Sequence, residues 1–138
     1  MSFLLSNNNF NAPPLNHKEI GQEFCKHYYN SFSSYGINGV TNLYHQDAQI
    51  TFLEEECVGL IAYNQKLLNI GLSKLMFNNL IGTTQPHEIN SIIISVTGDC
   101  CVYNNLQNNN WGKFSDVFII NQINGNWFIT HHIFKVIS

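Results

Sequence analysis

Apolar residues recur at four-residue steps near the start of the chain, and the residues that set this spacing are Ile20, Phe24, Tyr28 and Phe32. This spacing is the stripe of an amphipathic helix. Asn16 precedes the stripe and has a side chain suited to an N-cap, and Glu19 occupies the capping-box position. The pattern therefore predicts a helix that begins after Asn16 and ends in the glycine-containing segment 36–39.

Two further helices and a strand are predicted in residues 40–71. The stretch VTNLYHQ indicates a short helical piece, and the apolar spacing of residues 59–71 predicts a longer helix. Between them, AQITFLEE alternates as a β-strand does, with Ile50 and Phe52 on one face. This strand runs directly into an acidic triplet, residues 54–56.

The second half of the chain changes character, because four β-rich runs follow one another with turn residues between them. The runs occupy residues 74–84, 89–103, 111–121 and 126–137. Asn124 and Gly125 are the pair favoured in a two-residue type I′ hairpin turn. Helices followed by sequential strands predict one α+β domain at residues 17–138, in which helices cover one face of an antiparallel sheet. An Asn-rich arm, residues 1–16, is predicted to be flexible.

The register of the last hairpin decides which side chains share a face of the sheet. A turn at residues 124–125 pairs Phe118 with His131 and Val117 with His132 when the alternation is strict. Asp116 then lies among aromatic residues with His131 diagonally across from it. The two adjacent histidines point to opposite sides of the sheet, so they are not expected to bind one metal ion together.

Two interpretations of the predicted buried polar pair Asp116 and His131 stay open. In the first, the pair performs acid/base chemistry inside a cavity, with the histidine orienting the carboxylate or taking its proton. In the second, it is a contact in a subunit interface or at a hydrated sheet surface. A buried carboxylate needs a partner in either case.

Charged residues make up only 11% of the chain, the net charge is −3, and no arginine is present. Arginine is the side chain that usually binds phosphate and guanine through two hydrogen bonds, so its absence disfavours nucleic-acid binding. The four cysteines lack CxxC spacing, as is typical of reduced core thiols. No stretch approaches the ~20 apolar residues of a membrane span, so membrane insertion is not expected. We also expect no metal or other cofactor.

Several stretches together resemble the nuclear transport factor 2 family. They are IGQEFCKHYYNSF on the first helix, ITF with Gly59 seven residues later, KLMFNNLIGTTQP, SIIISVTGD, FSDVFII and NWFITHHIFK. Their order and spacing cover the chain from about Ile20 to Lys135. The resemblance implies a cone-shaped fold, in which a strongly bent antiparallel sheet and three helices enclose a hydrophobic cavity, and it implies a homodimer formed through the sheet.

The resemblance also implies a binding function without catalysis. Transport factors of this family hold the GDP form of the small GTPase Ran at the cavity and its rim, and they contact the Phe-Gly repeats of nucleoporins at separate surface sites. We accordingly expect a protein of the cytoplasm, nucleus and nuclear pore. The positions implied for the cavity and rim are Phe52, Leu53, Glu54, Leu72, Leu75, Val102, Phe114, Phe134 and Lys135.

This sequence departs from the family pattern at the rim. Leu53 stands where an acid normally follows the strand aromatic, and Tyr103, Asn104 and Asn105 replace the acids of a second loop. The neighbouring acids of residues 54–56 are candidates to replace the lost charge. Two alternative functions therefore stay open: a binding module for another protein partner, such as an mRNA-export cofactor, or a cavity enzyme of the isomerase or dehydratase type that uses Asp116, His131 and Tyr28 or Tyr44.

Overall fold

A computed structural model describes residues 16–69, 74–102 and 110–137. The first helix, α1, spans His17–Tyr35, and the side chain of Asn16 accepts a hydrogen bond from the Glu19 backbone N–H at 3.0 Å. The predicted N-cap is thus confirmed. Gly36 follows the helix with φ 70°, a left-handed conformation that an L side chain adopts only with strain.

The predicted short helix at residues 40–46 is wrong in its extent. Two 3₁₀ segments, Gly36–Gly39 and Thr41–Leu43, follow α1, and strand β1 already begins at Tyr44 and continues to Phe52. Strand β2, Glu55–Val58, then forms within the acidic stretch and pairs antiparallel with β1. Helix α2, Leu60–Asn69, confirms the predicted longer helix within the described residues.

Four long strands complete the sheet: β3 Leu75–Pro86, β4 Ser91–Val102, β5 Gly112–Ile123 and β6 Asn126–Ile137. They form the predicted antiparallel meander. β1 adds to it by parallel pairing with β6, which gives the strand order β2-β1-β6-β5-β4-β3. The described residues thus form a curved six-stranded sheet with two α-helices, an α+β architecture.

The core lies between the helices and one face of this sheet. α1 packs across β3, and α2 packs against β1 and β2. The inward-facing side chains include large aromatic residues that are almost fully buried, among them Phe24, Tyr28, Phe32, Tyr63 and Phe118. No described helix is long and apolar enough to cross a membrane.

The turn between β5 and β6 has the predicted residues, Asn124 with φ 52° and Gly125 with φ 83°. The pairing of Ile123 with Asn126 also agrees with the sequence prediction. The predicted register holds as far as the pair Ile120 and Ile129 and is wrong beyond it, because Ile119 pairs with His131 instead of Thr130. Thr130 is therefore an extra residue on β6, a β-bulge that reverses the facing of every later residue on that strand.

Candidate functional site

Three phenylalanine rings pack together where β1, β5 and β6 meet. The rings of Phe52 and Phe134 are stacked with centroids 4.7 Å apart, and those of Phe114 and Phe134 are 5.8 Å apart. The parallel pairing of β1 with β6 creates this contact, since it places Phe52 directly beside Phe134. All three side chains, and that of Leu75 on β3, are at most 5% exposed. These predicted cavity residues therefore lie within the hydrophobic core.

The turn that follows Phe52 brings an acid to the surface beside this cluster. Leu53 and Glu54 connect β1 to β2, and both have positive φ, 51° and 71°. This left-handed conformation is uncommon for a side chain as bulky as leucine. The backbone N–H of Leu53 donates to the Phe134 carbonyl at 3.1 Å, which ties the turn to β6. Leu53 is 43% exposed and Glu54 is also exposed.

The remaining predicted rim residues separate into different places. Val102 ends β4 and is half-exposed, and Lys135 is exposed on the sheet side opposite to Phe134. Leu72 lies outside the described residues. Of the acids after Glu54, Glu55 forms an ion pair with Lys66 of α2, whereas Glu56 is exposed on β2. Of the three acids that follow Phe52, Glu54 is thus the nearest to it in sequence.

A chain of hydrogen bonds runs through the core beneath this cluster. The Tyr29 hydroxyl of α1 donates to Asp116 Oδ2 at 2.7 Å, and His132 Nε2 lies 2.6 Å from Asp116 Oδ1. The other ring nitrogen of His132 lies 2.9 Å from the Tyr44 hydroxyl, which in turn lies 2.8 Å from the Tyr28 hydroxyl. We call these five residues the polar network. It connects α1 with β5, β6 and β1.

Aromatic side chains enclose the polar network. The imidazole of His132 stacks on Phe118 with ring centroids 4.3 Å apart, and Tyr63 packs edge-on against the same imidazole. Asp116 and His132 are each 2% exposed. In a site so far from water, each polar atom needs a protein partner, and the network supplies one to both carboxylate oxygens and both ring nitrogens.

Burial changes the acidity of the hydroxyl and thiol groups around the network. Desolvation is the largest cause that raises the pKa of Tyr28, Tyr29 and Tyr44 well above 10, and the negative charge of Asp116 raises each further. The same two causes raise the pKa of the Cys25 thiol to about 12. These tyrosines and Cys25 are therefore protonated at neutral pH, which makes them hydrogen-bond donors and poor nucleophiles.

The predicted pairing of Asp116 with His131 is wrong, because His132 occupies that place. The bulge at Thr130 turns His132 inward and His131 outward, where His131 is exposed and contacts the Thr130 hydroxyl at 3.1 Å. The two histidines do point to opposite sides, as alternation predicted. Sequence reasoning also missed Tyr29 as a partner of Asp116.

One signal in the sequence could have revealed the bulge. Ile129 and Phe134 are both large apolar residues, but their positions in the sequence differ by an odd number. Strict alternation would therefore place them on opposite faces of the strand and could not bury both. An extra residue must lie between them, and Thr130 fills that role: its hydroxyl lies 3.2 Å from the Ile119 carbonyl and accepts from the Asn121 side chain at 2.7 Å.

The fold and the buried aromatic cluster define an α+β domain built on a bent sheet, and comparison with known proteins assigns it. The family model of the nuclear transport factor 2 domain matches residues 20–136. The chain belongs to the nuclear transport factor 2 domain family.

Relatives named Nuclear transport factor 2 align with this chain over nearly their whole length. Nuclear transport factor 2 of Neurospora crassa is 29% identical over 119 residues, 86% of this chain and 93% of the relative. Nuclear transport factor 2 of Candida albicans is 27% identical over 118 residues, 85% of this chain and 92% of the relative. These names indicate a nuclear transport factor type of protein.

Solved structures place the fold in the same group. The structure of nuclear transport factor 2 from Cryptosporidium parvum superposes with a TM-score of 0.76 at 25% identity, covering 91% of this chain and all of that one. A putative scytalone dehydratase from Novosphingobium aromaticivorans has a TM-score of 0.64 at 12% identity, over 88% of this chain and 83% of that one. The second likeness is one of fold alone, so the fold by itself does not separate binding proteins from enzymes.

Replacing His132 tests the structural role of the polar network. His132→Leu leaves Asp116 buried without its ring partner, and we expect a loss of about 3 kcal/mol in the free energy of unfolding. His131→Leu alters the neighbouring, exposed imidazole and should change stability by less than about 0.5 kcal/mol. Urea unfolding followed by circular dichroism measures both. Equal losses in the two variants would contradict the assignment of His132 to the core.

The buried tyrosines predict unfolding at high pH. Their raised pKa means that the unfolded chain loses tyrosine protons first, so their contribution to stability is fully present below about pH 10 and falls as pH rises further. Unfolding free energies measured by urea titration across this range test the expectation. Tyr63→Phe removes one buried hydroxyl whose pKa is raised by desolvation and should make the decline less steep. Tyr35→Phe, at a 72% exposed position, is the control and should leave the slope unchanged.

Proposed function

We propose that this protein is a nucleocytoplasmic transport factor that binds Ran-GDP and the Phe-Gly repeats of nucleoporins, and that it shuttles between cytoplasm and nucleus through the nuclear pore. The observation that carries the proposal is the match of relatives named Nuclear transport factor 2 over about nine-tenths of their own length. The function is binding, and no catalytic residue is assigned.

The rim turn supports this proposal despite the leucine at position 53. Glu54 is exposed and shares the left-handed turn with Leu53, which follows Phe52 at the end of β1 and bonds to the Phe134 carbonyl of β6. Its carboxylate stands one residue away from the position where the family resemblance implies an acid. We propose that Glu54 supplies the contact to a basic group of Ran, with the exposed Leu53 covering the adjacent apolar surface.

We further propose a homodimer formed through the outer face of the sheet. Ile119 pairs with Ile93 and with His131, and Val117 pairs with Ile133 on the neighbouring strand. These side chains point away from the core and remain partly or largely accessible. Ile93, Ile119, Val117 and Ile133 thus form an apolar patch across three adjacent strands, with His131 beside it, and a second copy of the chain would bury this patch.

A binding module for a different protein partner is the second candidate, and the exposed apolar Leu53 is the observation that favours it. In that case the rim would contact a partner that offers an apolar group where Ran offers a cation. We do not propose an enzyme. The groups assigned to catalysis would be Asp116 and His132, and both are buried with their polar atoms already bonded to other side chains.

Titration calorimetry with Ran tests the first candidate and the role of Glu54. Wild-type protein is expected to bind Ran loaded with GDP and not Ran loaded with a GTP analogue. Glu54→Gln should weaken binding about tenfold or more, since a charge-assisted contact contributes roughly 1.5–3 kcal/mol. Glu88→Gln, at an exposed position between β3 and β4, should bind as wild type does. Absence of binding to either form of Ran would support the second candidate.

Sedimentation analysis tests the homodimer. Val117→Glu introduces a charge into the centre of the proposed interface, where burying an unpaired carboxylate is costly, so the variant should sediment as a monomer. Gln122→Glu adds the same charge at the exposed end of the β5–β6 hairpin and should leave the dimer intact. A wild-type protein that is monomeric at every concentration tested would refute the proposal.

A further inference from the structure

A cavity of about 280 Å³ lies between α1 and the outer strands of the sheet, away from the Phe52 turn. Cys25 and Tyr29 form its helical wall, and Gly82 of β3 and Val96 of β4 form its sheet wall. A Cβ built at Gly82 would stand 3.8 Å from Cys25 Sγ and 3.9 Å from a Val96 methyl, at ordinary contact distances, so a side chain at this position would enter the cavity.

Close packing between α1 and β3 bounds the cavity at one end. Gly21 allows α1 to approach β3 so closely that a Cβ at this position would overlap the methyl group of Thr84. The Thr84 hydroxyl also lies 3.0 Å from His17 Nδ1. The helix is thus fixed against β3 at Gly21, and the space opens one and two turns further along α1, at Cys25 and Tyr29.

The lining of the cavity selects for an uncharged occupant. Its apolar lining includes Tyr29, Leu80 and Val96. The Cys25 thiol also lines it, and desolvation keeps this thiol protonated by raising its pKa to about 12. Among the residues that the structure describes, no charged side chain lines it. Asp116 lies behind Tyr29 on the same cross-strand row as Val96, but both of its oxygens are bonded to Tyr29 and His132. The cavity is open to solvent beside the exposed Gln22 and Gly82, so a charged molecule would lose part of its hydration there without gaining a counter-ion.

The volume of the cavity limits the size of the ligand. An apolar cavity of about 150 Å³ in another protein accommodates benzene, so this cavity has room for a substituted or fused aromatic ring. The Tyr29 ring already packs against Phe77 and Tyr28, and the part of it that faces the cavity is available for contact with a ligand ring. Gln22 and Thr84 place polar groups in the lining, which suits a ligand with one neutral hydrogen-bonding group.

We propose that this cavity is a binding site for a small, neutral aromatic molecule of one or two rings. The site does not include the Phe52 turn or the outer face of the sheet, so it stands independently of the proposed Ran and dimer contacts. Binding places the ring between Tyr29 and Val96 and against the Cys25 thiol.

Heteronuclear NMR titration with indole tests the proposal. The amide signals of Cys25, Gly82 and Val96 should shift and saturate. Gly82→Val fills the space with a residue that suits a strand, and it should weaken indole binding at least about tenfold. Gly112→Val makes the same change on β5, where a Cβ would meet only Val136 at 3.9 Å, and should bind indole as wild type does.

Three results would overturn the proposal. The first is the absence of saturable shifts at these amides in the wild type, and the second is unchanged indole affinity in folded Gly82→Val. The third is a shift of the same signals with protein concentration alone, which would assign the cavity to a second copy of the chain. Indole-3-acetate tests the neutral class: binding at least about tenfold weaker than indole is expected, and equal affinity would refute that part.

Discussion

The carboxylate of Asp116 needs partners because it is buried in an aromatic core, and much of the structure follows from how it obtains them. Tyr29 reaches it from α1 and His132 reaches it from β6. His132 in turn contacts Tyr44 at the start of β1. One chain of hydrogen bonds therefore fixes the helix, the central hairpin and the parallel strand relative to one another. An apolar core of the same size would be held by packing alone, which is less specific in direction.

The bulge at Thr130 is what makes this network possible. Without the extra residue, His132 would face outward and Phe134 would leave the core with it. With the bulge, His132 faces Asp116, and Phe134 stacks on Phe52 while its carbonyl accepts the Leu53 N–H. The buried network and the rim turn thus depend on the same single insertion in the strand pattern.

Sequence patterns were sufficient for the elements that obey one period. The four-residue spacing of α1, the β-rich composition of the four long strands and the Asn124–Gly125 turn all have local causes, and each was predictable. β2 was missed because two of its four residues are glutamates. Glutamates suit an edge strand such as β2, but in a sequence they also indicate a solvent-exposed turn. The register after Thr130 was missed because strict alternation was assumed. The spacing of Ile129 and Phe134 signals an extra residue, but cross-strand contacts decide that this residue is Thr130.

The candidate site was predictable only in part, for a related reason. The family resemblance named Phe52, Phe114 and Phe134, and the structure packs these rings on one another. It did not identify Tyr29 and His132, since their roles depend on the register and on how α1 lies over the sheet.

The same register also separates two surfaces. Gly82, Val96, Asp116, Phe134 and Phe52 form one row across five strands, with the cavity at the Gly82 end and the rim turn at the Phe52 end.

Asp116 stands in the middle of that row, between the cavity and the rim. Coupling between two sites requires an element that can adopt two arrangements. The hydrogen bonds to both carboxylate oxygens and the stacked His132 and Phe118 rings favour a single arrangement at this point. The middle of the row therefore has no second arrangement among these contacts that could link the two ends. The proposed protein contact at the rim and the proposed ligand in the cavity would use different side chains, so neither would compete with the other.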